Sequence, residues 1–193
     1  MNVSLVTYTP EPEKVIAMAA RTCYGSSDSS RVDVGSLVTK IINLGHESVL
    51  EHVSFTFEIS GISRACSHQL VRHRIASYSQ RSQRYVAERD METVTPDSVR
   101  NLGQDIYTQV IYSISMGYDL LLGRGVPRED ARYILPNSCC TDLIMTMNAR
   151  ELRHFLKLRL GASAQWEIKS LAREIHTIVS GVSPLLFGGD VLW

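Results

Sequence analysis

The sequence predicts an α+β fold: an antiparallel-containing sheet packed with several helices, in a single compact domain spanning 1–193. Three observations predict it. Residues 53–60, VSFTFEIS, alternate: Val53, Phe55, Phe57 and Ile59 point one way while Ser54, Thr56 and Glu58 point the other, as in a strand with one buried face. Segments with helical period and helical start and stop signals outnumber the strands. Strands and helices do not alternate regularly, which argues against a doubly wound parallel sheet. A length of 193 residues suits one domain with a substantial core.

The elements follow in order. VSLVTY (3–8) reads as the first strand. PEPEKVIAMAARTCYG reads as a helix, with Pro12 tolerated in its first turn and Gly25 just past its end. SSDSSRVD (26–33) is a polar loop. VGSLVTKIINLG is amphipathic, with Val38, Ile41 and Ile42 on one side and Gly45 as its stop. After the alternating strand, Gly61 reads as a break and Ser63 as the cap of a helix reaching His73. The next stretch reads as irregular and then extended over 83–87. Thr95-Pro96-Asp97 begins a new unit. A long helix through Tyr107, Val110, Ile111, Ile114 and Tyr118 ends near Gly123. Pro127 opens a short helix and Pro136 closes it. LIMTM (143–147) reads as a strand. Asn148, with Glu151 three residues on, resembles a capping box that starts the helix NARELRHFLKLRL, and a last helix runs over 164–179.

Composition narrows the function. Lys+Arg and Asp+Glu are 20 each, so the chain is neutral, which counts against a general nucleic-acid binder. No apolar run approaches the ~20 residues of a membrane span. The start, MNVSLVTYTPEPEK, lacks a basic-then-apolar signal pattern, so the expected location is cytoplasmic. Cys23, Cys66, Cys139 and Cys140 form neither a C-x-x-C nor a disulfide framework and are expected to be small buried hydrophobes. GHESVLEHV carries His46, Glu47, Glu51 and His52, but Leu50 breaks the H-E-x-x-H pattern of zinc peptidases. It reads as a polar turn, and no metal is expected.

The concentrated signal is RHRIASYSQRSQRY (72–85), four arginines in fourteen residues. No carboxylate lies between Glu58 and Glu88, a span that also holds Arg64. Of the 20 basic residues 16 are arginine, whose rigid fork of donors suits phosphates and carboxylates. Arg72 and His73 in a helical last turn would complement the helix dipole, a structural reason for their presence. Arg74, Arg81 and Arg84 lie beyond that helix. Together with the interleaved serines and Gln80 they read either as a solvated basic loop or as a phosphate cradle, and composition alone leaves both open. Ser77, Ser79 and Ser82 have no nearby base or G-x-S-x-G elbow, so their hydroxyls read as ligands rather than nucleophiles.

Arg72-His73-Arg74, seven residues and Ser82, followed by Arg84-Tyr85, resembles the signature of the flavin-dependent thymidylate synthases. GHESVLEHVSFTF, PREDARYILP and NARELRHFLKLR with AQWEI resemble three further blocks of that family, in order and spacing, over Gly45 to Ile168. The resemblance implies an FAD enzyme that converts dUMP to dTMP. Methylenetetrahydrofolate would be the carbon donor, NADPH the reductant, and the assembly a homotetramer with sites shared between subunits. It implies flavin contacts for His46, Ser48, Glu51, Arg72, His73, Arg74, Gln80, Asn148, Arg150 and His154. It implies nucleotide contacts for Gln69, Arg72, Gln80, Arg81, Ser82, Gln83, Arg84, Arg132 and Arg159. Arg159 against the uracil is the implied catalytic residue, because a fixed guanidinium stabilises charge developing on the ring. Small-molecule substrates are implied, with no nucleic acid and no membrane. Ser79, Gln80, Gln83 and Ser163 depart from the family's frequent Asn, acid, Gly and His. The end, GGDVLW, is shorter than the family's usual tail, which bears on folate access or tetramer packing.

Overall fold

The computed structural model describes residues 1–23, 25 and 33–188. Residues 26–32 of the predicted loop and the tail at 189–193 lie outside them. A four-stranded antiparallel sheet has the order β1-β2-β4-β3, formed by β1 (Asn2–Tyr8), β2 (Ser54–Ser63), β3 (Ala76–Gln80) and β4 (Cys140–Asn148). Nine helices are described: α1 (Pro12–Cys23), α2 (Val34–Asn43), α3 (Arg64–Leu70), α4 (Asp97–Leu102), α5 (Gln104–Gly123), α6 (Arg128–Ala131), α7 (Ala149–Leu160), α8 (Trp166–Val182) and α9 (Pro184–Phe187). No described helix is long and apolar enough to cross a membrane.

The alternation in β2 works as its pattern demands. Val53, Phe55, Phe57 and Ile59 are fully buried, and β4 adds Leu143, Met145 and Met147 on the same face. Residues of α1, α2, α3, α7, α8 and α9 complete this core, among them Ile16, Val38, Phe155, Leu171 and Phe187. The opposite face is polar where β2 meets β4, with the hydroxyls of Thr56 and Thr146 2.9 Å apart. Burying the six side chains within β2 and β4 (Phe55, Phe57, Ile59, Leu143, Met145 and Met147), at roughly 1.5–3 kcal/mol each, fixes the register, because a one-residue slip would turn them all to the other face.

Several boundaries differ from expectation. Gly61 does not end β2. It takes φ +68 at a register shift between Ile59 and Ile62, and its N–H donates to Asp142 Oδ1 at 3.1 Å. A Cβ there would also crowd the Met1 nitrogen at 3.2 Å, so this bulge needs glycine. The extended segment after α3 is 76–80, not 83–87. Ala76, Tyr78 and Gln80 are half-buried while Ser77 and Ser79 are exposed, a short alternation hidden among polar residues. At 85 and 86 the backbone instead turns back onto the Ser82 carbonyl. Helix α8 starts at Trp166 rather than 164 because the Gln165 side chain caps it, accepting from the Glu167 and Ile168 N–H groups. Beyond it Pro184 opens an unanticipated turn, α9.

Helix α5 departs most from its sequence pattern. It reaches Gly123 as expected, but Tyr118 is its one buried residue. Leu102 just before it (88% exposed), and Ile106, Val110, Met116 and Leu120 along it, lie open. The cysteine expectation holds for Cys66, Cys139 and Cys140. Cys23 is exposed. Burial pushes the Cys66 thiol up to about 12 and the Cys139 thiol up to about 11, so both stay protonated and unsuited to nucleophilic or metal chemistry.

Candidate active site

Ser63 starts the element that carries the signature. Its hydroxyl accepts from the Cys66 N–H at 3.0 Å and caps α3. The helix stops at Leu70, three residues short of expectation. The Leu70 carbonyl receives the His73 N–H at 3.1 Å and the Tyr78 hydroxyl at 3.0 Å, so it cannot continue the regular ladder. The same Tyr78 hydroxyl lies 2.9 Å from the His73 carbonyl. Arg72, His73 and Arg74 therefore occupy the turn after the helix. The two arginines are exposed and His73 turns inward, only 5% exposed.

His73 lies between two side chains of α7. Its Nδ1 is 3.1 Å from Glu151 Oε1, and its Nε2 accepts from Arg159 Nε at 3.1 Å. Arg159 Nη2 also donates to the Gln69 carbonyl at 3.2 Å, so Gln69 enters through its backbone. Phe155 and His154 stack edge-on against the imidazole, at 5.0 and 5.9 Å between centroids. Burial, then the Arg159 charge, holds His73 below the ordinary histidine range although the Glu151 hydrogen bond opposes them. Ligand atoms of His73, Glu151 and His154 lie within 4.8 Å of one another. The hydrogen bond between His73 and Glu151, and the adjacent Arg159 cation, make this a proton-ordered cluster more than a cation cage.

The loop 80–84 is more tied down than its sequence suggests. Its acid-free run meets acids from other segments. Arg81 lies 3.4 Å from Glu88 and 3.2 Å from Asp142 and donates to the Cys140 carbonyl at 2.8 Å. Arg84 pairs with Glu129 at 3.0 Å. Gln80 donates to Ser67 and Thr141 hydroxyls, and the buried Gln83 amide is 3.7 Å from Cys139 Sγ. The Ser82 hydroxyl accepts from the Arg84 N–H at 3.2 Å and has no histidine or carboxylate hydrogen-bonded to it among the described residues. Arg132, its Nε on the Glu129 carbonyl at 3.1 Å, lines a cleft of about 300 Å³ with Arg64, His68 and Gln83. By contrast, Arg72 and Arg74 have no carboxylate within 4 Å among the described residues.

The histidine-rich segment forms a 3-10 turn, Glu47–His52, with His46 at its start and Ser48 exposed. Arg150 at the start of α7 binds it, 2.6 Å to Glu51 and 3.6 Å to Glu47. Asn148 caps α7 through the Glu151 N–H at 2.9 Å, which completes one half of the expected capping box. The Glu151 carboxylate goes to His73. Arg64 was not singled out from sequence as a site residue. Its Nη2 donates to the Arg81 carbonyl at 2.8 Å and braces the loop. A guanidinium one residue past a predicted helix cap was the available signal.

The thymidylate synthase complementing protein family model matches residues 4–185. The chain is 50% identical to a flavin-dependent thymidylate synthase of Geobacter sulfurreducens, over 97% of this chain and 85% of that protein. The chain belongs to the flavin-dependent thymidylate synthase family. As a member it is an enzyme of thymidylate synthesis that works with a flavin. A Clostridium tetani member is 41% identical over the same shares. The fold agrees: thymidylate synthase X from Helicobacter pylori, solved with FAD and dUMP, superposes with a TM-score of 0.82 at 30% identity, over 100% of this chain and 99% of that one.

Proposed function

We propose that this enzyme methylates dUMP reductively to dTMP, taking the carbon from methylenetetrahydrofolate and the reducing equivalents from NADPH through FAD. The observation that carries the proposal is the anchored Arg159. Two of its five N–H donors are used, on His73 Nε2 and the Gln69 carbonyl, and three are left for a ligand. Directed at N3 and O2 of uracil, they stabilise negative charge there and raise electron density at C5, the carbon that must attack.

The residues fit a dinucleotide flavin. Arg72 and Arg74 are exposed cations without carboxylate partners among the described residues, as a pyrophosphate requires. His46, Ser48, Glu51, His73, Gln80, Asn148, Arg150 and His154 complete the proposed FAD contacts. FAD, once reduced, supplies the hydride that completes the methyl group. Gln69, Arg72, Gln80, Arg81, Ser82, Gln83, Arg84, Arg132 and Arg159 are the proposed dUMP contacts. Because Arg81 and Arg84 are already ion-paired, Ser82, Gln83 and backbone N–H groups carry more of the phosphate binding than the charge count suggests. Ser82 binds and does not attack.

The same reading makes the assembly a cytoplasmic homotetramer, with Arg72 reaching a neighbouring subunit's nucleotide. The open apolar side of α5 supports this. Monomers rarely leave contiguous apolar patches beyond a few hundred Å² in water. The test is a visible spectrum of purified protein. A flavin band that bleaches with NADPH, and release of tritium from C5-labelled dUMP when folate is added, are expected. An FAD-loaded tetramer without dUMP-dependent turnover would refute the reaction.

A further inference from the structure

The contacts around His73 determine where its proton lies. Arg159 Nε has only an N–H to offer, so the His73 Nε2 that it meets at 3.1 Å must present a lone pair. Glu151 Oε1, 3.1 Å from Nδ1, is an acceptor. The tautomer protonated on Nδ1 satisfies both contacts. The opposite tautomer sets two N–H groups against each other at Arg159 and two lone pairs against each other at Glu151. The imidazolium satisfies Glu151 but places a second cation and a second donor against Arg159.

Glu151 and Arg159 sit at opposite ends of α7, eight residues or ~12 Å apart along its axis at 1.5 Å per residue. The imidazole from the turn after α3 spans that gap. Glu151 is only 9% exposed, and Phe155 closes on the ring from the side. We propose that Glu151 is a positioning residue: by keeping the His73 proton on Nδ1 it keeps Nε2 an acceptor, and Nε2 with the Gln69 carbonyl aims the Arg159 guanidinium. The consequence for turnover rests on Arg159 meeting the nucleotide as proposed above. The proton placement itself stands on the local geometry.

The test uses the FAD-loaded enzyme labelled with ¹⁵N in histidine and arginine near neutral pH, with the His73 signals identified by their loss in His73→Gln. Nδ1 protonated, Nε2 unprotonated and a slowly exchanging Arg159 Nε–H are expected. A proton on Nε2, or on both nitrogens, overturns the proposal whatever the variants do. In Glu151→Leu the Arg159 protection should vanish and dUMP-dependent kcat should fall about 10²-fold, the scale of an ångström-level misplacement, with flavin content unchanged. Glu151→Gln keeps a carbonyl oxygen for the Nδ1–H and should restore most of that loss. Parent-like kcat and Arg159 protection in folded Glu151→Leu would overturn the positioning role. The expected tautomer and protection, both lost in Glu151→Leu, in a parent enzyme that never turns over dUMP would uphold the positioning and sink the proposed reaction.

Discussion

Glu167 sets the origin of the site through hydrogen bonds that can be weighed. It is 3% exposed, and its two oxygens divide the donors of one residue: Oε1 accepts the Ser63 N–H at 2.7 Å and Oε2 the Ser63 hydroxyl at 2.6 Å. Ser63 in turn caps α3, whose Gln69 carbonyl holds Arg159. Glu167→Gln keeps the volume but turns one oxygen into NH₂. Facing the Ser63 N–H, that NH₂ opposes a donor. Facing the hydroxyl, it uses the lone pair left by Cys66 and strands the hydroxyl proton. Either way at least one buried donor is orphaned, at about 1–3 kcal/mol. Glu167→Ala orphans two, about 2–6 kcal/mol, against a total stability of roughly 5–15 kcal/mol. Urea unfolding at fixed protomer and FAD concentration measures this, since both shift apparent stability by mass action. The midpoint should fall at constant m. Adding Ser63→Ala to Glu167→Gln should cost less than the two single effects summed, because both act on the same bonds. A Glu167→Gln change below about 0.5 kcal/mol, the range of ordinary surface substitutions, would refute the reasoning.

Four further outcomes are expected. Arg159→Lys keeps the charge but not the fork, so dUMP-dependent turnover should fall about 10²–10³-fold with the flavin spectrum intact, and parent-like kcat would count against the assignment. Arg72→Gln combined with Arg74→Gln should elute colourless from gel filtration at moderate salt, and a double variant that stays yellow would remove these residues from the flavin site. Ser82→Ala should keep turnover at saturating dUMP, whereas complete loss there would revive a nucleophilic serine. Burial and Arg159 depress the folded-state proton affinity of His73, opposed by Glu151, with His154 adding a small further lowering. The unfolded chain therefore takes up this proton first. Stability from this group is present above about pH 6.5, the ordinary histidine value, and is lost as pH falls from there toward the lower folded-state value. His73→Gln should flatten that part of the stability profile, and an unchanged slope between pH 7 and 5 would contradict the shift.

What the sequence disclosed depended on how local the cause was. The alternation in β2, the Ser63, Asn148 and Pro127 starts and the stop near Gly123 are set by neighbours within four residues, and all stand in the structure. Errors arose where a partner came from far away. The Tyr78 hydroxyl, eight residues on, meets the last carbonyl of α3, and Asp142 holds the bulge at Gly61. The start of α8 is a local miss instead: the Gln165 side chain caps the Glu167 and Ile168 N–H groups, so the helix begins after it rather than at 164. Helix α5 has a sound period whose apolar side meets none of the main core, because period alone does not say what will cover it.

Charge counting failed for the same reason, and the failure is informative about the site. The run without acids from Ile59 to Ala87 holds five arginines, which composition leaves open between a solvated basic loop and an anion site. Three of them are engaged by groups remote in sequence: Arg64 on the Arg81 carbonyl, Arg81 on Glu88 and Asp142, and Arg84 on Glu129. An arginine held by carboxylates offers a phosphate a rigid surface of N–H groups more than uncompensated charge, and charge brought near it is partly cancelled. Arg72 and Arg74 differ, since no carboxylate of the described residues answers them within 4 Å. On the proposed assignment, an anionic cofactor gains most at the RHR turn, and the nucleotide is discriminated at 80–84 by shape and hydrogen bonding. This division predicts distinct salt dependences: flavin retention should weaken steeply as ionic strength rises, and dUMP affinity should change less. Equal salt slopes for the two ligands would mean that the ion pairs of Arg81 and Arg84 open on binding.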